Sequence, residues 1–277
     1  MCWFNMKSPF HANETQVIYM ANPPLHGWPN YSKIEEIEGL KKMKRLIPVF
    51  LMLILVSLPV YADNLDDGLD AHDRKDYKVT FEKYKLLAEQ GNAIAQNFLG
   101  TMYLKGEGVP QDYIGAVKWY TLSAEQGLAP AQNNLGWMYA NGKGVLKDDK
   151  EAVKWYRKAA DQGDAKAQWS LGLMYRKSEG VEQDIKEVVK WCRKAAEQGF
   201  ASAQLSLGVR YDFGQGVSED DVTAYAWYKI AAANGHAKSR ENKGLIAEDM
   251  TPDQIAKAEA LVKEMIKKNP KLINKNR

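Results

Sequence analysis

The sequence predicts an all-α solenoid built from one helical hairpin that is copied along the chain. Three residue types recur every 36 positions: a tryptophan, a glycine within an apolar stretch, and an aspartate. A fixed period of roughly 20 to 50 residues is the sequence signature of stacked supersecondary units. We assign structural roles to the repeated glycines and tryptophans, which are Gly100, Gly136, Gly172, Gly208, Trp119, Trp155, Trp191 and Trp227.

Each unit begins with an apolar pattern that predicts its first helix. In the first unit the pattern is Ala93-x-Ala95-Gln96-x-x-Leu99-Gly100-x-x-Tyr103. Residues at this spacing lie on one face of a helix. A glycine in the middle of a helix costs about 1 kcal/mol relative to alanine. Because four units keep it, we expect a neighbouring helix to approach too closely there for a side chain.

The second helix of each unit follows an aspartate that is well placed to cap it. Asp112 precedes the first of these helices and can accept hydrogen bonds from its free backbone N–H groups. Ala116 and Tyr120 are predicted to face the first helix, whereas Trp119 lies on an adjacent face and is expected to contact the next unit. Gly127 is the expected left-handed residue after the helix.

A short glycine-containing loop joins the two helices of each unit. Residues 106–109 have the pattern Gly-x-Gly-Val, which recurs in every unit except that Ser178 replaces the first glycine in the third. The loop lacks the spacing and the Lys-Ser/Thr ending of a phosphate-binding loop. It therefore predicts a tight structural turn with the valine buried beneath it.

The repeated units occupy the central part of the chain. Four full units span 93–235, after an N-terminal capping hairpin at 63–92. Residues 236–277 are predicted to form a partial fifth repeat and a C-terminal capping helix, in which Thr251 is the N-cap and Pro252 the first helical residue. Atypical, polar terminal units keep such arrays soluble.

The segment 43–62 has the composition of a secretory signal peptide. A basic start at 43–45 precedes an apolar run that spans 46–60 and is interrupted by Pro48 and Pro59, and the segment ends in a small residue, Ala62. The apolar run is shorter than the roughly 20 residues of a membrane span. We expect cleavage after Ala62 and a periplasmic or secreted protein of a Gram-negative bacterium, with no stable membrane span. The alternative is an uncleaved signal anchor.

Residues 1–42 do not fit a signal peptide. They are polar and carry scattered charge, and Met43 stands where a signal peptide should begin. We expect translation to start at Met43, which makes 1–42 a mis-assigned and disordered leader.

Composition argues against several classes of function. Six of the 38 basic and four of the 35 acidic residues lie in 1–62, so the net charge of +3 falls to +1 without them. Nucleic-acid binding would require a basic field. Cys192 is the only cysteine after 62, so no intramolecular disulfide is expected. Because Cys192 takes the place of Tyr120 in the third unit, it is expected to pack as a small apolar residue.

No motif in the sequence indicates catalysis. The chain after residue 62 holds two histidines, His72 and His236, in opposite terminal units. A metal site needs three or four convergent ligands, and no such cluster is evident. We therefore expect neither a catalytic centre nor a metal or other cofactor.

These patterns resemble the Sel1-like repeat family, which is related to the tetratricopeptide repeats. The first-helix pattern, the Gly-x-Gly-Val loop and the pattern Ala-x-x-Trp-Tyr-x-x-Ala-Ala-x-x-Gly carry the resemblance. It implies a right-handed superhelical solenoid whose first helices line a concave surface for protein contacts. One exported branch of the family has paired cysteines and members reported to bind or hydrolyse β-lactams. This sequence lacks those cysteines, so that activity is not carried over.

The analogy to tetratricopeptide arrays also implies which first-helix positions face the groove. They lie two before the leucine, one after the glycine, and one and two after the tyrosine. The set is Asn97, Thr101, Leu104, Lys105, Asn133, Trp137, Ala140, Asn141, Trp169, Leu173, Arg176, Lys177, Leu205, Val209, Asp212 and Phe213. Aromatic and arginine side chains are common in interfaces. The alternative is that the large residues fill space between units.

The sequence therefore favours an exported, non-catalytic scaffold that binds a protein or peptide in its groove. An immunity or inhibitor protein that neutralises a toxin or a cell-wall enzyme is the alternative. An enzyme that acts on β-lactam or cell-wall substrates is the third class considered. The identity of the partner and the oligomeric state do not follow from the sequence.

Overall fold

The computed structural model describes residues 65–274, and these residues form the all-α solenoid that the sequence predicts. The proposed leader at 1–42 and the signal peptide at 43–62 lie outside the described residues. Residues 65–73 are helical and are termed α1. The helices that follow are α2 (Tyr77–Glu89), α3 (Ala93–Lys105), α4 (Tyr113–Glu125), α5 (Ala129–Asn141), α6 (Asp149–Asp161), α7 (Ala165–Lys177), α8 (Ile185–Glu197), α9 (Ala201–Asp212), α10 (Asp221–Ala233), α11 (Ala237–Asp249) and α12 (Pro252–Lys268), with a 3₁₀ turn at Pro270–Leu272.

The helices stack as a continuous row of hairpins. The pairs α3–α4, α5–α6, α7–α8 and α9–α10 are the four repeated units, and each first helix also packs against the second helix of the preceding unit. Each first helix thus lies between two second helices and is covered on both sides. The core is accordingly a series of apolar clusters along the row rather than one central cluster.

In three of the four units the mid-helix glycine is required because a tyrosine ring of the same unit lies directly over it. An added Cβ would be too close to a ring carbon of the tyrosine in the second helix; the distances to Cδ1 are 2.7 Å for Gly100–Tyr120, 2.8 Å for Gly136–Tyr156 and 2.5 Å for Gly208–Tyr228. In the third unit the Sγ of Cys192 is the nearest atom to such a Cβ, at 3.3 Å. The predicted close approach is thus observed at the three tyrosine-bearing units.

A ladder of buried amide side chains ties each unit to the one before it. Gln132 Nε2 donates to the carbonyl oxygen of Ala124 at 3.1 Å, and Gln132 Oε1 accepts from Gln162 Nε2 at 2.7 Å. Gln96, Gln168 and Gln204 repeat this arrangement, with Asn234 as the donor to Gln204 in the fourth unit. Because a buried polar group is costly without a partner, the ladder fixes the register between neighbouring units.

Caps and loops follow the predicted pattern. Asp148 accepts hydrogen bonds from the backbone N–H groups of Lys150 and Glu151, and Asp112, Asp184 and Asp220 cap their helices likewise. Gly127 has a φ of +91°, as expected of a left-handed residue after a helix.

The loop glycines make contact with the preceding unit. A Cβ on Gly108 would be 2.1 Å from the carbonyl oxygen of Tyr77, at the start of α2. The loop is therefore a structural turn that packs on the preceding hairpin, and its valine, Val109, is half-buried against that hairpin.

The tryptophans of the second helices pack against the preceding unit, so the predicted contact with the next unit is wrong. Trp155 on α6 is buried with Ala116 and Tyr120 of α4 and Leu135 of α5. The face of α6 that is turned to the next unit is already filled by alanines, a valine and Tyr156. Trp119, Trp191 and Trp227 are in the equivalent clusters.

The C-terminal part folds back over the last units. Thr251 and Gln254 form a capping box at the start of α12, and Pro252 is the first helical residue. The helix packs mainly against α10, and Leu272 beyond it is buried. Its carbonyl oxygen accepts from Gln204 at 2.9 Å and Asn234 at 2.7 Å, which closes the amide ladder. Within 65–274, no helix combines the length and apolar character needed to cross a membrane.

Candidate functional site

A pocket of about 300 Å³, here the central pocket, lies on the side of the solenoid formed by first helices α5 and α7. Its walls are mainly aromatic and amide side chains. The lining residues are Leu104, Asn133, Asn134, Trp137, Tyr156, Lys166, Trp169, Ser170 and Phe200. It is an open cleft that brings two tryptophans from successive units together.

Two further pockets adjoin the central pocket. The polar pocket, of about 460 Å³, shares Asn133 and Phe200 with it and extends to Asn97. The arginine pocket, of about 340 Å³, shares Trp169 with it and lies between α7 and α9. The residues of the arginine pocket are Trp169, Arg176, Ser202, Leu205, Ser206, Val209, Arg210, Gln215 and His236. We call the three pockets together the first-helix groove.

Half of the sixteen positions expected to face the groove line these pockets. They come from all four first helices, so the structure brings together residues that are more than 100 positions apart. The lining members of the set are Asn97, Leu104, Asn133, Trp137, Trp169, Arg176, Leu205 and Val209.

Other members of the set make contacts within their own hairpins. Thr101 Oγ1 is 3.0 Å from the Tyr120 hydroxyl. Asp212 accepts a 2.7 Å hydrogen bond from the Tyr228 hydroxyl. Asn141 donates to the carbonyl oxygen of Trp137 at 2.9 Å. These polar groups serve the hairpin fold.

The last members of the set do not line the pockets either. Lys105 and Lys177 form ion pairs with glutamates two residues later, in the loops that follow their helices. Phe213 caps the C-terminus of α9 and is 63% exposed. Leu173 and Ala140 are half-buried and do not line a pocket described above.

The central pocket combines an unpaired acceptor with an exposed indole. Asn133 Oδ1 is buried and accepts no hydrogen bond from residues 65–274. One turn further along α5, the Trp137 side chain is 41% exposed. Trp169 is half-buried, and its ring lies 6.2 Å from that of Phe200, so it also serves as packing between units.

Several groove residues escaped the sequence analysis because they lie outside the positions that the analogy selected. Asn134 donates to Asn97 Oδ1 at 3.0 Å. Arg210 was missed because its position belongs to the core in the other units, where Met102, Met138 and Met174 are buried. The exchange of a core methionine for arginine is itself visible in the sequence and would have marked this site.

The third unit departs from the others next to Arg210. Burial raises the pKa of the Cys192 thiol, and hydrogen bonding to Ser206 and the charge of Arg210 oppose this rise. Burial also raises the pKa of Tyr156, at the equivalent position, to about 12, opposed by a hydrogen bond with Ser170. Both groups are therefore uncharged near neutral pH, and the thiol is not activated as a nucleophile.

A comparison with models of known protein families identifies the repeated units. The Sel1 repeat model matches residues 93–128, 129–164, 165–200 and 201–236. The chain belongs to the Sel1 repeat family. These boundaries coincide with the four hairpins, each of which contains one first helix and one second helix. Proteins built from Sel1 repeats are generally non-catalytic scaffolds for protein interaction.

Two solved structures show the same architecture at substantial identity. One is a protective antigen of uropathogenic Escherichia coli strains with an SLR fold, at 40% identity and a TM-score of 0.65. The alignment covers 70% of this chain and 42% of that one, so less than half of the longer protein is matched. The other is a Sel1 repeat protein from Oxalobacter formigenes, at 38% identity and a TM-score of 0.59, covering 64% and 73%. No curated protein sequence matches the chain significantly.

Proposed function

We propose that the protein is an exported, non-catalytic scaffold that holds an extended segment of a protein partner in the first-helix groove. The observation that carries this proposal is the buried Asn133 Oδ1, which lacks a hydrogen-bond donor within 65–274. Buried polar atoms are nearly always paired, so each exception calls for an explanation. A backbone N–H of a bound segment would satisfy this oxygen.

The aromatic residues around Asn133 suit the same role. Trp137 is exposed one turn from Asn133, and Trp169 faces the same pocket from the next unit. Tryptophan is enriched among the residues that dominate binding energy, because it buries a large apolar area. A partner side chain between the two indoles would be held from both sides.

The fold favours binding by a preformed surface. Asn133 and Trp137 lie on one regular helix, and α5 is fixed on both sides by α4 and α6. A rigid site loses less ordering entropy when a partner binds. Export is supported by the signal-peptide composition of residues 43–62.

The proposal can be tested with a photo-crosslinking amino acid incorporated at position 137 in living cells. We expect a discrete crosslinked species at 137 and its absence when the same amino acid replaces Ile114, which is 71% exposed on the second helix α4. A further Asn133→Leu substitution should reduce the crosslink at 137 at least severalfold. Equal yields at 137 and 114 would contradict a groove-specific partner.

Folding must be measured beside binding. Trp137→Ala and Trp169→Ala should reduce capture of the crosslinked partner. Trp137→Ala should lower the melting temperature less than Trp169→Ala, because Trp137 is 41% exposed whereas Trp169 is half-buried and packs on Phe200. If both variants melt far below the wild type, these residues belong to the core and the site assignment fails. A toxin or cell-wall enzyme as the captured species would instead favour the immunity or inhibitor function.

Export is tested separately from partner binding. Mass spectrometry of the purified periplasmic protein should give an N-terminus at Asp63 and no peptide from residues 1–42. An N-terminus at Met43 would indicate a retained anchor, and any peptide from 1–42 would refute the assignment of that segment as a mis-assigned leader.

A further inference from the structure

The arginine pocket is built around a charged group in a position that the other units give to the core. Arg210 takes the place of Met102, Met138 and Met174, and only 3% of its surface is exposed. Its Nε and Nη1 atoms are buried and find no acceptor within 65–274. A buried charge that lacks a partner is strongly destabilising. The Cys192 thiol is a hydrogen-bond partner of the guanidinium but supplies no counter-charge. Nε and Nη1 therefore still need an acceptor from outside this part of the chain.

A second guanidinium increases the positive charge of the pocket. Arg176 lines the same pocket and is exposed at its rim. Burial lowers the pKa of the Arg210 guanidinium, the Cys192 thiol opposes this, and the charge of Arg176 adds to it. None of the lining residues is acidic. The ion pairs found between residues 65 and 274 include neither arginine. Two neighbouring cations without a counter-charge favour an anionic ligand.

Further polar atoms in the pocket are available to the same ligand. His236 Nδ1 is buried and has no hydrogen-bond partner within the described part of the chain. The side chains of Ser202 and Gln215 line the pocket as well, and both can donate. The pocket therefore combines charge with several directed hydrogen-bonding groups.

The remaining walls define the shape of the ligand. Trp169, Leu205 and Val209 are apolar, and the volume of about 340 Å³ admits a side chain but no folded element. A carboxylate carried on methylene groups could contact the apolar walls along its stem and pair with the guanidinium at its end. Because Arg210 is almost wholly covered, a slender side chain reaches it more readily than a chain terminus with its own backbone and side chain.

We propose that the arginine pocket binds the side-chain carboxylate of a glutamate or aspartate in the partner segment that occupies the first-helix groove. This inference rests on the proposed function and gives the partner a chemical feature: an acidic residue next to the part of the segment that contacts Trp169. Trp169 lines both the arginine pocket and the central pocket, so one segment can occupy both.

The pocket can be tested without knowledge of the partner. The Nε–Hε resonances of the arginines in the purified chain are followed by NMR during titration with N-acetylglutamate N-methylamide. We expect saturable shifts for Arg210 and Arg176 and none with N-acetylglutamine N-methylamide at the same concentrations. Arg157 and Arg193 are internal controls, because each donates to a tyrosine hydroxyl outside the pocket.

A matched variant removes the buried charge and is expected to keep the fold. Arg210→Met introduces the residue that the other three units carry, so it should fold and melt no lower than the wild type. It should weaken the response of Arg176 to the capped glutamate at least tenfold, whereas Arg193→Met should leave it unchanged. If Arg210→Met does not fold, Arg176→Gln at the exposed rim takes its place and should weaken the response severalfold.

Other ligands distinguish the sources of negative charge. N-acetylleucine carries a terminal carboxylate, and inorganic phosphate is a different oxyanion. If either ligand binds more tightly than the capped glutamate, the proposal is overturned. Absence of saturable shifts, or unchanged binding by Arg210→Met, would also overturn it. If the pocket fails these tests while crosslinking at position 137 persists, the carboxylate site is wrong and the groove function stands.

Discussion

The second unit and the boundary between the third and fourth units show what the repeat requires and where it is free to change. In the second unit, Tyr156 covers Gly136, and Met174 of the next unit lies in the same apolar cluster. At the later boundary, Cys192 replaces the tyrosine and Arg210 replaces the methionine, and both are still buried. Both places keep the hairpin of a first and a second helix. The glycine, the caps and the amide ladder are kept in both places, whereas the filling of the space above the glycine changes.

The largest expected effect comes from making the second unit resemble the third. Tyr156→Cys removes a buried ring, and no arginine is present to fill the space, because the next unit carries Met174 there. Loss of a large core side chain costs about 3 kcal/mol. Urea denaturation followed by circular dichroism measures the change. Tyr113→Cys, at a half-buried position on α4, should cost less than about 1 kcal/mol; equal costs would show that the ring over Gly136 is not a framework element.

The converse change restores the regular pattern at the third unit. Cys192→Tyr alone introduces a ring where the Arg210 guanidinium lies against the thiol, so overpacking should cost about 1 to 3 kcal/mol. Cys192→Tyr with Arg210→Met should recover most of this loss. A double-mutant cycle from urea denaturation should therefore give a favourable coupling of about 1 kcal/mol or more. Additive effects would mean that the two exchanges are unrelated.

The sequence was sufficient for the fold because the framework residues act locally and recur. The spacing of Gly136 and Asp148 predicts the hairpin, and the structure confirms their packing and capping roles. The direction in which Trp155 packs was not predictable, since periodicity places a residue on a helix face without showing which neighbour that face meets. The role of Arg210 was hidden for a related reason: its position was treated as framework, although the residue there is charged.

The mid-helix glycines should show a smaller difference in stability between the second and third units. Gly136→Ala places a Cβ 2.8 Å from the Tyr156 ring, so the clash should outweigh the gain in helix propensity and cost about 1 to 2 kcal/mol. Gly172→Ala has the Cys192 Sγ, at 3.3 Å, as its nearest neighbour and should change stability by less than about 0.5 kcal/mol. Thermal unfolding of the two variants under identical conditions makes the comparison. A larger loss for Gly172→Ala would contradict it.

A gain in stability, rather than a loss, is expected at Gly244, where the repeat keeps its glycine although no tyrosine ring covers it. This glycine keeps the 36-residue register in α11, yet an added Cβ would meet no atom within 4 Å. The helix α12 packs mainly against α10, so no tyrosine ring covers Gly244 as Tyr156 covers Gly136. Gly244→Ala should therefore stabilise the protein by about 0.5 to 1 kcal/mol through helix propensity alone. The melting temperature should rise slightly; a decrease would mean that a contact at Gly244 requires glycine, and that the fifth hairpin retains the constraint of the regular units.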